Sequence, residues 1–148
     1  MTIEGVEITA GITVIADGVF KKDAEKAYFI NNAAGLVYMS KNAPENGVAV
    51  KLDADINLEG VEFNGLMVQN WVGKNTFDGQ NHTITGAHIT GDHCFNGAVY
   101  GSKEGWGLFS VLDGATVKNV KLDNEVFASY TVISGGVAGY AYDTTFEN

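Results

Sequence analysis

The sequence contains no arginine, one cysteine and one proline. Nine lysines stand against eighteen acids, which gives a net charge of −9. Because phosphate and base recognition depends on arginine forks and basic stripes, we predict that the protein does not bind nucleic acid. The same charge disfavours an anionic membrane surface. Since Cys94 is the only cysteine, no intramolecular disulfide can form, and the redox compartment stays open.

Long hydrophobic runs are also missing. No run approaches the ~20 residues that cross a bilayer, so membrane insertion is not expected. The first eighteen residues contain acids but no basic residue, unlike a signal peptide. At 148 residues and 45% apolar content, the chain is long enough for a single domain, residues 1–148, with its own core.

The last third of the chain repeats itself. Residues 107–119 (GLFSVLDGATVKN) align without a gap on residues 136–148 (GVAGYAYDTTFEN), 29 positions later. The alignment places Thr116 on Thr145 and Val117 on Phe146. A repeat of this length that contains a short strand unit is typical of a solenoid, in which units bury their apolar faces by stacking.

The same residues resemble a known family. The segments GWGLFSVLDGATVKNVKL and SGGVAGYAYDTTFEN resemble the GLUG-type repeats of bacterial surface and secreted proteins, common in Bacteroidetes-like organisms. The stretch VKLDADINLEG…NTFDGQNHTITGAHI is similar to the unit that usually precedes them, so the resemblance covers about residues 27–148. It implies a right-handed parallel β-helix and an adhesin-like or glycan-associated role at the cell surface or after secretion. The second repeat stops at Asn148, before any counterpart of residues 120–122.

We predict an all-β fold, a short right-handed parallel β-helix (solenoid) with an N-terminal capping α-helix. Residues 1–47 would form N-terminal strands and the helix, and residues 48–148 the stacked strands, with GLUG-like repeats at 107–119 and 136–148. The helix is predicted over Asn32–Lys41, with Asn32 as its N-cap. Residues 21–27 are predicted to form a loop or a short helical turn.

Two positions are predicted to be equivalent corners between stacked strands. Ile84, Ala87 and Ile89 repeat the spacing of Val117, Val120 and Leu122. A three-residue step within a two-residue period indicates a bend, at Gly86 in one unit and at Asn119 in the other. Glycine and asparagine are the residues that best tolerate positive φ.

Acidic side chains leave an enzymatic interpretation open. Many parallel β-helices act on acidic glycans, and a lyase or glycosidase could use acids from the set Asp53, Asp55, Asp78 and Asp92. Without arginine, a lyase would need a lysine to abstract the proton, and the sequence groups no lysine with these acids. We therefore assign no catalytic residue. The polysaccharide-degrading alternative predicts a cleft that holds paired carboxylates with a lysine.

The most metal-like group consists of His82, His88 and His93 with Asp92 and Cys94. It lacks the two-plus-two ligand spacing of a structural zinc site. We therefore predict no metal and no other cofactor, and expect these histidines to face solvent.

Three aromatic residues are the candidate ligand-binding residues: Trp71, Tyr100 and Trp106. They lie in or beside glycine-rich segments, and an exposed ring beside polar groups can bind a glycan. The alternative is that Trp71 fills the core and Trp106 anchors a loop against it.

The function predicted from the sequence is a non-enzymatic, adhesin-like binding module for carbohydrate or a protein partner. The alternatives are a polysaccharide-degrading enzyme and a structural spacer or self-assembly unit. Residues 144–148 are predicted to expose strand edges that attract a second copy, which would give a homo-oligomer.

Overall fold

The computed structural model describes residues 2–3, 6–7, 11–42, 44–63, 75–90, 107–127 and 135–148. Within these ranges the chain is mostly β, with one short helix. The strands are β1 (Thr2–Ile3), β2 (Val6–Glu7), β3 (Ile12–Ala16), β4 (Val19–Lys22), β5 (Ala27–Ile30), β6 (Ala49–Leu52), β7 (Ile56–Asn57), β8 (Thr76–Asp78), β9 (Thr83–Thr90), β10 (Phe109–Asp113), β11 (Thr116–Lys118), β12 (Lys121–Phe127), β13 (Ala138–Tyr142) and β14 (Thr145–Glu147). The helix, α1, spans Ala33–Lys41 between β5 and β6.

The described strands form four separate sheets. The largest has the order β14-β11-β8-β6-β5-β4-β3. A three-stranded parallel sheet has the order β12-β9-β7, and β10 pairs with β13 in parallel. The short strands β1 and β2 form an antiparallel pair.

The prediction of a right-handed parallel β-helix is wrong. The seven-stranded sheet is mixed, because β3–β4 and β4–β5 pair antiparallel whereas the strands from β5 to β14 pair parallel. None of the sheets in the described ranges is closed. The physical reason lies at Asp17–Gly18, where a tight turn with Gly18 at φ 69° joins β3 to β4. A two-residue turn can connect antiparallel strands only.

The predicted loop at residues 21–27 is also wrong at both ends, since β4 extends to Lys22 and β5 begins at Ala27. The aromatic rings of Phe20 and Phe29 stack on this face with centroids 5.4 Å apart. The Nζ atom of Lys22 lies 4.0 Å from the centroid of the Phe29 ring. Lys22 therefore covers part of a small apolar cluster, with its charged end over an aromatic ring.

The helix begins where the sequence predicts. Asn32 has extended backbone, and its Oδ1 accepts a hydrogen bond of 2.8 Å from the Gly35 amide. Its Nδ2 donates to Asp17 Oδ1 at 3.0 Å, which ties the helix start to the β3–β4 turn. Leu36 and Met39 are buried in the main core. The helix packs into that core. Since the fold is not a β-helix, the prediction that the helix caps a β-helix is also wrong.

The main core is formed by apolar side chains that recur in register on successive parallel strands. Val50, Phe77 and Val117 are neighbours on β6, β8 and β11, and each is at most 3% exposed. An edge-to-face contact between Phe77 and Phe109, with centroids 5.3 Å apart, joins the seven-stranded sheet to β10. Each parallel strand therefore covers the apolar side chain of the strand before it.

The two predicted corners are not equivalent. Asn119 and Gly86 both have positive φ, 52° and 71°. Asn119, however, follows β11 at the point where Gly79 follows β8, whereas Gly86 lies within β9. At Gly79 the neighbouring turn comes very close, since a Cβ there would lie 2.4 Å from the Asn119 carbonyl oxygen. The turns after β8 and β11 therefore stack closely only because residue 79 is glycine.

Candidate functional site

The three aromatic residues predicted to bind a ligand, Trp71, Tyr100 and Trp106, lie outside the described residues. The same holds for Asp92, His93 and Cys94 of the metal-like group. The site must therefore be sought among the strands that the structure describes.

The repeated segments of the sequence lie side by side. Strand β13 pairs with β10 and β14 pairs with β11, both in parallel. The register joins Phe109 to Ala138 and Val117 to Phe146, the same 29-residue offset as in the alignment. In the described residues, β13 and β14 each pair with one strand, so each leaves one edge open. We call β13 and β14 the end strands.

Exposure rises abruptly at the end strands. In one register column, Phe77 is 0% exposed, Val117 is 3% exposed and Phe146 is 51% exposed. The partner of Leu112, which is fully buried, is Ala141, which is exposed. In both register columns, no described strand packs beyond the last residue, whereas a following strand packs on each earlier one. The end strands therefore present to solvent the apolar positions that are core elsewhere in the fold.

These positions form an apolar groove of about 540 Å³. We call the groove, together with the open edges of the end strands, the end surface. Tyr142, at the end of β13, is 62% exposed beside it. Contiguous apolar surface of this kind marks interaction sites. The lining residues are Val117, Val120, Val137, Ala138, Ala141, Phe146, Glu147 and Asn148.

The backbone of β14 offers hydrogen-bonding groups at its open edge. The Thr145 amide donates to Ala115 O, and the Glu147 carbonyl accepts from the Asn119 amide, both at 2.9 Å. In a parallel strand, neighbouring residues direct their backbone groups to opposite sides. The N–H and C=O of Phe146 therefore face away from β11. An unpaired edge of this kind can take a further strand.

A charged residue at the third position of β8 is held by the next strand. Lys118 Nζ lies 3.6 Å from Asp78 Oδ2, and Asn119 Nδ2 donates to Asp78 Oδ1 at 3.0 Å. Burial alone would raise the pKa of Asp78, but the hydrogen bonds from Asn119 and from the Gln80 amide, with the charge of Lys118, lower it below its ordinary value. The carboxylate is therefore ionised and held by a Lys–Asn pair.

Lysines do lie beside the predicted acids, contrary to the sequence prediction. Besides the Lys118–Asp78 pair, Lys22 Nζ lies 3.3 Å from Asp53 Oδ1. The two partners in the second pair are 31 residues apart in the chain. In each of these two pairs the charge of the acid meets the charge of a lysine.

A second cleft, of about 590 Å³, lies on the charged face near β4 and β5. There Lys21 Nζ lies 3.8 Å from Glu45 Oε1, and Lys51 pairs with Glu25. A hydrogen bond to Tyr28 raises the pKa of Lys21, and the hydrogen bond from Lys51 lowers the pKa of Glu25. A general base needs a lowered lysine pKa, and a general acid needs a raised carboxyl pKa. The pKa directions of Lys21 and Glu25 are those of ion-paired groups.

His82 lies against an acid. Its Nδ1 is 3.2 Å from Asp55 Oδ1, which also accepts a hydrogen bond of 2.9 Å from the Thr83 amide. The Thr83 amide first, and then His82, lower the pKa of Asp55. Across the described part of the chain, no three histidine, cysteine or acidic side chains are grouped closely enough to hold a metal ion.

Comparison of the chain with protein-family models, curated proteins and solved structures found no significant match. The resemblance to GLUG-type repeats stays a prediction from the sequence. Within the described residues, no helix has the length and apolarity needed to cross a membrane.

Proposed function

We propose that the chain is a non-enzymatic binding module that takes a β-strand of a partner protein at the end surface. The observation that carries this proposal is the column Phe77, Val117, Phe146, in which exposure rises from 0% and 3% to 51%. A strand added to β14 would cover Phe146 as β14 covers Val117. Main-chain hydrogen bonds would supply affinity, and the groove would accept an apolar side chain.

Charge favours a different protein over a second copy. Each copy carries a net charge of −9, so two copies repel at low ionic strength. If light scattering finds dimers and the substitution Phe146→Asp dissociates them, the chain is a self-assembly unit instead.

The adhesin-like role at the cell surface or after secretion is part of the proposal, and the sequence resemblance alone supports it. Carbohydrate binding by Trp71, Tyr100 or Trp106 stays a prediction. Two residues of the charged cleft support a non-enzymatic role, because the pKa of Lys21 is raised and that of Glu25 is lowered, opposite to what a lysine base and a carboxylic acid donor need.

The test is selection of linear peptides from a random displayed library against the folded wild-type chain. Each selected peptide is then measured against Phe146→Asp and against Ile15→Asp. Ile15 is a matched control, because it is 39% exposed and lies on β3, the opposite edge strand of the same sheet. We expect binding to be lost in Phe146→Asp and kept in Ile15→Asp. Peptides that bind both variants equally, or no selected peptide at all, would contradict the proposal.

A further inference from the structure

From β6 to β14, the third position of the parallel strands alternates in charge, whereas β5 has Phe29 in this column. Lys51 pairs with Asp78, Asp78 with Lys118, and Lys118 with Glu147 in the strand register. Opposite charges directly across neighbouring strands stabilise the pairing, and like charges destabilise it. The column ends on Glu147, which is exposed and forms no ion pair with the described residues. A cation on an added strand would continue this alternation.

The structure also shows how a neighbouring strand holds an acid at this position. The carboxylate of Asp78 contacts Lys118 Nζ and accepts from Asn119 Nδ2, so the last residue of β11 and the residue after it hold it. Glu147 occupies the equivalent position one strand beyond β11. Lysine on an added strand would meet Glu147 as Lys118 meets Asp78. The Asn119 contact does not carry over, because it needs the close turn at Gly79, and Asn148 follows Glu147.

The preceding positions are fixed by the same register. Thr76, Thr116 and Thr145 form the first column, and the second is Phe77, Val117, Phe146. An added strand therefore needs a small or β-branched residue and then an apolar residue before its lysine. The apolar residue would enter the groove beside Phe146.

We propose that the end surface selects a parallel partner strand with the order threonine-like, apolar, lysine, and that Glu147 pairs with the lysine. This inference rests on the proposed function, since it names the partner of that surface. The chain's own strand of this order, β11, is already paired on both sides by β8 and β14. A folded second copy cannot supply that strand from β11, and between separate chains the proposal therefore commits to a different protein.

The experiment titrates the isotope-labelled full chain with the synthetic peptide GLFSVLDGATVKNVKLD, the sequence of residues 107–123, at low ionic strength. Three further peptides carry Glu in place of its first lysine, Ala in place of the asparagine that follows, or the reversed order of the whole sequence. Amide shifts of β13 and β14 report the binding. Two protein variants, Glu147→Gln and Glu62→Gln, distinguish a local charge effect from the loss of one net charge, since both acids are exposed.

We expect the parent peptide to shift the amides of the end strands. Replacing its lysine by glutamate should weaken binding about 10-fold, and Glu147→Gln should weaken the parent peptide about 5-fold, the range of cross-strand charge pairs. Glu62→Gln should leave affinity unchanged, and the reversed peptide should not bind. In Glu147→Lys the preference should invert toward the glutamate peptide.

Two failures are distinguishable. Equal binding of the lysine and glutamate peptides at the end strands would overturn the lysine inference and leave strand addition standing. No shift of the end-strand amides by any of the four peptides would overturn the inference, and it would count against the proposed function as well. Equal effects of Glu147→Gln and Glu62→Gln would also overturn the inference, because they would reduce it to net charge.

Discussion

Two glycines at the same repeat position differ in whether a neighbouring strand segment packs against them. Gly107 aligns with Gly136, 29 residues later. A Cβ on Gly107 would lie 2.3 Å from the Gly135 carbonyl oxygen, whereas a Cβ on Gly136 would meet nothing within 4 Å. Neither glycine has positive φ, so alanine can adopt both backbones. Gly107→Ala therefore disrupts the stacking of β10 and β13, and Gly136→Ala is its matched control.

The expected change in the free energy of unfolding follows from the contact between the new Cβ at residue 107 and the Gly135 carbonyl oxygen. The new Cβ at residue 107 would lie about 1 Å inside ordinary contact of 3.4 Å, and its neighbour is backbone that must move. Overpacking of this kind costs about 1–3 kcal/mol. Both substitutions gain about 0.4–1 kcal/mol from the reduced entropy of the unfolded chain. We expect Gly107→Ala to lower the free energy of unfolding by about 1–2 kcal/mol and Gly136→Ala to raise it by about 0.5 kcal/mol.

Urea unfolding followed by circular dichroism measures both values. Hydrogen exchange adds a local readout, because the amides of Leu108 and Phe109 donate to Gly136 O and Val137 O across this strand pair. In Gly107→Ala these two amides should exchange faster. If Gly136→Ala destabilised the chain as much as Gly107→Ala, residue 136 would be covered in the free protein, and the open end surface would be refuted.

Four further substitutions test the fold and its electrostatics. Phe77→Ala should lower the free energy of unfolding by about 3–5 kcal/mol and Phe146→Ala by about 1 kcal/mol, because the first side chain is buried and the second is half-exposed. Thermal or urea unfolding measures both values. Equal losses would contradict the exposure of Phe146 at the end surface. Because the pKa of Asp78 is lowered in the folded protein, its carboxylate adds stability that is complete above the ordinary pKa of about 3.9 and is lost as pH falls through the folded pKa. Asp78→Asn should therefore flatten the acid limb of a profile of unfolding free energy against pH. An unchanged acid limb would show that Lys118 and Asn119 do not stabilise this carboxylate. Asn32→Ala should cost about 1 kcal/mol in melting experiments through the lost cap at the Gly35 amide, and a neutral result would contradict that cap.

Local chemistry made part of the fold predictable. The Asn32 cap was predictable because one side chain and the amide three residues later determine it. The 29-residue register was predictable because repeated segments without a gap place equivalent residues on neighbouring strands. The antiparallel pairing of β3, β4 and β5 was not predicted, because no repeat sets a strand register in residues 1–47 and residues 21–27 were predicted as a loop or a short helical turn.

The candidate site could not be predicted from the sequence, because it depends on how the strands of the whole sheet are paired. Lys51, Asp78, Lys118 and Glu147 are unequally spaced along the chain, so their alternation appears only once the strands are paired. Ion pairs such as Lys22–Asp53 join distant residues for the same reason. The sequence did predict open strand edges at residues 144–148. The groove and the exposure of Phe146 came from the structure alone.

The most direct measurement is amide hydrogen exchange at Val117 and Phe146, which are neighbours in one register column. By the alternation of parallel strands, the Val117 amide faces β14 and the Phe146 amide faces the open edge. We expect Val117 to be protected and Phe146 to exchange rapidly in the free chain. Phe146 should gain protection when the peptide GLFSVLDGATVKNVKLD is added. Protection of Phe146 equal to that of Val117 in the free chain would contradict the open edge, and no gain with the peptide would contradict strand addition by that sequence.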